Sequence, residues 1–335
     1  MAETTAAPAR ADIQRAVALA VLAPSIHNTQ PWRWVATGGV LDLYADRERQ
    51  LPAMDPDGRG LLLSCGGALW LATLGFAVAG WQVAVERLPD PHRPDLLARI
   101  RVTGRRAPDQ EVLELARAAE RRHTERRPFA PDPVPVELLD RLVGVAADGP
   151  DVYASVIGSV DERLDLAVVF SWSNRVETGD PAYRAELARW SRPGDSAHRD
   201  GIPAEAVPHV PAGAERHTDL PLRDFEVGGT GEQTLAEPVD ERPAYVVLFT
   251  VGDGEADRLR AGEAYVRMSV EAERLGLASS ALTQALDLPP VRERFRTLMD
   301  WQHHPQMVLR VGRPPAAASS PATPRRPMSA VLTFV

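Results

Sequence analysis

Two stretches carry side chains whose types and spacing could do chemistry. Pro24-Ser25-Ile26-His27-Asn28-Thr29-Gln30-Pro31-Trp32-Arg33-Trp34 packs short hydroxyl and amide groups between a predicted helix and a predicted strand. Such groups hold a ligand edge by hydrogen bonds rather than by charge. Trp32 and Trp34 then alternate as strand residues do. A strand leaving a binding loop must bury one face, so both indoles are expected in the core. The second stretch is Arg121-Arg122-His123-Thr124-Glu125-Arg126-Arg127, followed by Pro128-Phe129. Taken alone, that arginine run reads equally well as a solvated helix end.

Several reaction classes are excluded by what is missing. The chain has 38 arginines and no lysine. A Schiff-base lysine, a Walker lysine and a Ser-x-x-Lys acyl enzyme are therefore out. No HExxH and no GxSxG occurs. Gly228-Gly229-Thr230-Gly231 and Gly252-Asp253-Gly254 do not complete GxGxxG, so nothing argues for a Rossmann dinucleotide site. A net charge of -8 gives no basic surplus for nucleic acid or an anionic membrane. Cys65 is alone, which excludes a disulfide and a CxxC pair within the chain, and it reads as a small core residue. The first ten residues lack a charged start followed by an apolar stretch, so they do not read as a signal peptide and a cytoplasmic protein is expected. His303-His304 has no carboxylate at ligand spacing nearby, so no metal site is expected.

The elements that must position these residues follow from periodicity. With 335 residues and 44% hydrophobic content, the chain can build one large or two modest domains. Ile13, Ala16, Val17, Ala20 and Val21 share a helical face, which Pro24 ends. Residues 31–37 and 40–45 read as strands around Gly38-Gly39. Leu61 to Val85 has no charged residue and is long enough to span a membrane. Gly80 breaks it and Trp81, Val83 and Val85 alternate, so it reads as a buried core helix near 60–79 followed by a strand. Ser64, Gly67, Ala68 and Gly75 would allow close helix packing. Further helices are expected over 109–123, 136–147, 161–190 with a break near Gly179, and 262–275. Strands are expected over 245–251 and 306–311. From 191 to 243 the periodicity fails, and so long an irregular stretch is functional or mobile.

A degenerate internal duplication runs through the chain. Ala68 to Gly80 and Ala264 to Gly276 are both expected helices ending in Gly. Ile13–Val21 parallels Leu138–Ala146, and at that offset Ser25, Asn28 and Trp32 fall on Pro150, Tyr153 and Ile157. The second copy therefore lacks the Ser/Asn loop.

The run at 24–34 resembles the PSxxNxQPW flavin motif of the nitroreductase superfamily. Arg122-His123-Thr124-Glu125-Arg126 with Phe129 resembles that family's Arg-x-Ser/Thr-x-Arg/Lys motif, with one extra residue before the Phe. Leu275-Gly276-Leu277-Ala278-Ser279-Ser280 is similar to its LGLGS stretch. Val311-Gly312-Arg313-Pro314 and Thr323-Pro324-Arg325-Arg326-Pro327 are similar to its closing strand and C-terminal basic residues. The most similar branch is the actinobacterial Acg family, through SIHNTQPWRW, Leu51-Pro52-Ala53-Met54-Asp55-Pro56-Asp57-Gly58-Arg59 and the duplication. The resemblance spans nearly the whole chain and is poor across 191–243.

That resemblance implies an α+β nitroreductase fold, duplicated into a pseudo-dimer, with antiparallel-rich sheets packed on long central helices. The family builds each FMN site at a homodimer interface, basic motif from one subunit and Ser/Asn loop from the other. Here residues 1–108 would supply the loop and 109–335 the basic motif, giving one FMN per chain and making a monomer sufficient, with a homodimer left open. Arg122, Arg126 and Arg325 or Arg326 would bind the phosphate through charge-assisted hydrogen bonds, with Thr124 donating beside them. Ser25 and Asn28 would reach the ribityl chain and pyrimidine edge; Pro24, Ile26 and His27 would line the ring. For His27, a backbone-bonded loop histidine is an equal alternative. His123, Ala278, Ser279, Ser280 and Arg313 complete the implied cofactor set. NADH or NADPH is the implied electron donor, and a nitroaromatic or quinone the acceptor. Hydride transfer needs no protein acid or base, so no catalytic side chain is expected. The alternative is a protein that holds FMN under a lid formed by part of 191–243, from Arg192 through Pro211. A disordered linker is the third option for that segment.

Overall fold

A computed structural model describes residues 7–147, 149–192, 197–208, 220, 223, 242–315 and 322–335. The first repeat of elements runs α1 (Arg10–Ala20), β1 (Trp32–Thr37), β2 (Val40–Ala45), α2 (Arg59–Val78), β3 (Trp81–Arg87) and β4 (Leu96–Arg105), and α3 (Gln110–Arg121) then crosses to the second. The second begins with α4 (Val136–Ala146) and β5 (Val152–Val156). It is interrupted by α5 (Val160–Gly179), α6 (Pro181–Trp190) and the short strands β6 (Ser191–Arg192) and β7 (Ile202–Pro203). It resumes with β8 (Ala244–Thr250), α7 (Glu255–Arg274), β9 (Ala278–Leu282), α8 (Gln284–Asp287), α9 (Pro289–Leu298) and β10 (His304–Gly312). The last elements are α10 (Met328–Val331) and β11 (Leu332–Phe334).

The two main sheets repeat one topology. The first has the order β11-β1-β2-β4-β3 and the second β5-β8-β10-β9. Without β11, each is four antiparallel strands in the same order, with one long helix between its second and third strands in the chain. The duplication is thus visible in the hydrogen-bond ladders. The expected offset is corrected in one place. β5 begins at Val152, so Trp32 corresponds to a position near Val152 and not to Ile157. The second copy has lost the loop by shortening, with only 147–151 standing where the first has 21–31. β11 then returns to the first sheet, parallel to β1.

The apolar helix α2 is buried along most of its length and packs on α7 and α1. It is the one described helix long and apolar enough to cross a membrane, and it fills the protein's interior. Contact with α7 is backbone to backbone. A Cβ on Gly66 would lie 2.0 Å from Leu259 O, and one on Gly262 2.0 Å from Leu63 O. Gly75 lies against Ala16, where a Cβ would come within 2.6 Å. Gly38 and Gly39, at φ 54° and 88°, close the expected hairpin as a type I′ turn. Trp32, Trp34 and Cys65 are fully buried, and burial pushes the Cys65 thiol up.

The stretch Leu51–Arg59 fastens the two copies together. Asp55 accepts from the Gly60 and Leu61 amides at 2.7 and 2.8 Å, which caps α2. Burial raises its carboxyl to about 7 in spite of those bonds. Asp57 pairs with Arg258 and Arg292 at 3.1 and 2.9 Å. Fully buried Arg59 donates to Gln306 O and to Asp287.

Candidate functional site

The Ser/Asn loop is a strained 3-10 turn over Ile26–Asn28. His27, Asn28 and Gln30 have φ of 45°, 55° and 51°, the left-handed region that costs a residue with a Cβ conformational energy. Local bonds hold it there. Gln30 N donates to Ser25 Oγ at 2.9 Å, and Ile26 N to Ser64 Oγ at 3.0 Å. The turn splits the motif's side chains between two sides. Pro24, Ser25 and Asn28 face a cleft of about 390 Å³. Ile26 points instead at Gly60 and the apolar cluster of Leu51, Met54, Tyr183, Leu187 and Trp190. His27 is buried and faces Arg223.

The opposite wall of that cleft is the basic motif. Arg122, His123, Thr124 and Arg126 line it, together with Thr323 and Arg325. β9 backs this wall: Thr124 bridges Ser279, and Glu125 N donates to Ser279 O at 3.0 Å. Ala278, Ser279 and Ser280 are therefore behind the motif and do not line the cleft. Arg313 also lies off the cleft, accepting from Ala130 N through its carbonyl. Arg326 turns away to the Gln30 carbonyl at 3.0 Å and to Asp46 at 3.3 Å. Of the two C-terminal arginines, Arg325 is the one in the cleft. The structure thus joins the loop of the first copy, the motif opening the second and the segment leading to β11.

The cleft's electrostatics suit an anion. Burial pulls Arg122 down, Arg126 to about 10 and Arg325 to about 9, the last helped by neighbouring Arg122. An arginine keeps its proton at neutral pH, so these shifts report charges that are costly where they sit. Among the described residues, Arg122 and Arg325 form no ion pair with a carboxylate. Both donate to Leu22 O, at 3.3 and 3.2 Å. Arg325 Nε is buried without a hydrogen-bond partner among the described residues. His123 differs. The Glu125 carboxylate, 3.5 Å away, raises its imidazole pKa. Burial alone would raise Glu125, but bonds from Arg127 and His123 outweigh it and hold the carboxyl at about 2.

Asn28 is fully engaged. Its amide donates to Gly201 O at 2.9 Å and Pro324 O at 3.1 Å, and its oxygen accepts from Arg325 at 3.2 Å. Gln30 Nε2 holds Arg199 O at 2.9 Å, and Arg126 reaches Ala206 O at 3.5 Å. Residues 199–206 are therefore docked on both walls, and 193–196 and 209–211 of the expected lid, Pro211 included, lie outside the described residues. Two contributors carry no signal in the sequence. Leu22 ties two arginines through its main chain, for which no side-chain pattern exists. Tyr265, buried on α7, stands close enough to Arg122 and Arg126 for their charges to act on it. Its place on a largely buried helix makes it read as core. His303 rests against the Tyr153 ring at 5.2 Å, and among the described residues no three His, Cys, Asp or Glu could hold a metal ion.

Fold and site together define a duplicated α+β chain with an arginine-lined cleft between its copies. The chain is 37% identical over 325 residues to the Mycobacterium tuberculosis H37Rv protein named "Putative NAD(P)H nitroreductase Rv3131", across 96% of this chain and 91% of that one. It is 33% identical over 327 residues to "Putative NAD(P)H nitroreductase acg" of the same strain, across 96% and 95%. Among solved structures, the FMN-dependent nitroreductase NfnB from Mycobacterium smegmatis in complex with NADPH is similar at 17% identity and TM-score 0.39, over 66% of this chain and 99% of that one. No family model matches the chain. The chain belongs to the Acg family of nitroreductase-like proteins.

Proposed function

We propose that the chain is an FMN-binding oxidoreductase of nitroreductase type, with one FMN per chain. NADH or NADPH is the donor, and a nitroaromatic, quinone or similar small molecule the acceptor. The carrying observation is the convergence of Arg122, Arg126 and Arg325 on one cleft with the Ser25 and Thr124 hydroxyls. A phosphate monoester brings about two negative charges at neutral pH, and guanidinium groups bind it by charge-assisted bonds. The Arg325 Nε, without a partner among the described residues, and the lowered arginine pKa values fit such a ligand. Arg122, Arg126, Arg325 and Thr124 would hold the phosphate, His123 would add charge, and Ser25 and Pro24 would flank the chain beyond it. When bound, FMN supplies reversible hydride acceptance and donation. Both walls belong to one chain, so a monomer suffices to build the cleft.

A second reading is supported by the docked segment, namely a protein that holds FMN with little turnover. Gly201 N donates to the Asn28 carbonyl and Gly201 O accepts from the Asn28 side chain, so a ligand edge reaching Asn28 must displace them. Rapid mixing of the purified protein with NADPH separates the two. Flavin bleaching within seconds, then reoxidation by a nitro compound, supports the enzyme. Reduction by dithionite but not by NADPH supports the holding protein, and deleting residues 192–208 should then restore reduction. The flavin-to-chain ratio, read from absorbance, should be near one. A ratio near two overturns the single-site reading.

A further inference from the structure

On the side of the Ser/Asn loop away from the cleft lies a second cluster of buried charge. Glu177 in the last turn of α5 and Asp287 at the end of α8 are 2% and 1% exposed. Asp287 receives Arg59 at 3.2 Å and the Thr283 hydroxyl at 3.1 Å. Arg223 fills the remaining space. Its Nη2 donates to Asp287 Oδ2 at 2.5 Å and to Glu177 Oε1 at 3.3 Å, and its Nη1 to His27 Nε2 at 2.8 Å. The Tyr183 ring lies 5.8 Å from the guanidinium carbon.

These partners select a guanidinium. It is planar, with donors that fork to two carboxylates and one further acceptor, and it tolerates an aromatic face; a compact ammonium matches this less well. Because a guanidinium has no acceptor, His27 Nε2 must carry the lone pair. Burial, with Arg223 and Arg126 beyond it, keeps the imidazole neutral. His27 and Asn28 are consecutive residues in the left-handed region, so the bond to His27 acts on the turn that presents Asn28 to the cleft.

We propose that Arg223 is a positioning residue for the Ser/Asn loop. Seated between Glu177 and Asp287, it holds His27, fixes the strained turn and so sets how tightly the cleft retains its phosphate-bearing ligand. The inference rests on the FMN reading above. Nothing in it requires Arg223 to touch the cofactor.

The test is FMN affinity of the full-length chain, read by quenching of flavin fluorescence, with thermal melting alongside. Arg223→Ala should weaken FMN about tenfold, the loss of one charge-assisted bond. Millimolar guanidinium should restore binding in a saturable manner and raise the melting temperature of this variant alone, while equal sodium chloride or urea should not. Arg223→Lys should recover only part of the affinity. Glu177→Gln, which keeps the shape of the socket, should weaken FMN several-fold and serves if Arg223→Ala does not fold. A wild-type chain that binds FMN, with unchanged affinity in Arg223→Ala or Glu177→Gln or with no specific guanidinium rescue, overturns the inference alone. A wild-type chain with no affinity for FMN overturns the cofactor reading and the positioning role with it.

Discussion

The connection from α1 to β1 and the connection from α4 to β5 hold equivalent places in two copies of one topology, yet of the two only the first lines the cleft. Residues 21–31 hold a strained turn stapled by Ser25 and Ser64, whereas α4 ends at Ala146 and β5 already begins at Val152. The second copy kept instead what precedes its first helix, the basic motif at 121–127. Each copy supplies one wall of the cleft. A duplicated fold can lose half a site from each copy when the two remaining halves face each other, because the ligand needs both walls only once.

Removing one group from each wall should have the largest effect. Asn28→Ala together with Arg126→Ala should lower FMN affinity about a hundredfold or more, since each wall gives up a polar anchor at once, and yield colourless protein. Full FMN content in the purified double variant would sink the assignment. Stability tests the symmetry of the scaffold. Gly66→Ala and Gly262→Ala each place a Cβ 2.0 Å from a carbonyl oxygen of the facing helix. Each should cost about 3 kcal/mol, read as a fall of several degrees in Tm, and the two should be alike. Gly144→Ala in α4 meets open space and should be neutral or stabilise by up to about 1 kcal/mol. A large asymmetry between Gly66 and Gly262 would contradict equivalent central helices.

The smallest effect concerns pH. His123 is raised by Glu125, so it is cationic below its pKa and neutral above it. Its attraction for a phosphate is therefore present at low pH and fades as pH rises through that raised value. FMN affinity should fall a few-fold over that interval, about 1 kcal/mol or less for a partly exposed charge, and His123→Gln should flatten the profile. An unchanged profile in that variant would remove His123 from the cleft's charge.

Much of the scaffold can be read from periodicity. Helix α2 shows as an uncharged run, the β1–β2 hairpin as Gly38-Gly39, and β8 as an apolar run. β4 escapes such reading because three of its outward positions are arginines, one of which, Arg99, pairs with Asp42 across the strands. β5 escapes it because a constant offset lays the lost loop over it. At the site, the two motifs that form the walls are legible as runs of residue types. Which residues of a run face the ligand is not. Positive φ at His27 and Asn28 turns neighbouring side chains to opposite sides, which no spacing rule reports, and Arg325 and Arg326 differ only in which way the segment before α10 happens to face. Leu51–Arg59 stands out in the sequence as a family mark, and its work is to cap α2 through Asp55 and to join the copies through Asp57 and Arg59.

The return of β11 to the first sheet has a consequence for biosynthesis. Arg325 lies between the second copy and β11, and Arg326 bonds the carbonyl of Gln30. On a ribosome, the first sheet and its loop emerge long before the residue that completes their cleft. If Arg325 holds the proposed FMN, full capture would follow synthesis through residue 334 and the folding of the chain back on its beginning, so a bound cofactor would mark a chain that had been read to that point.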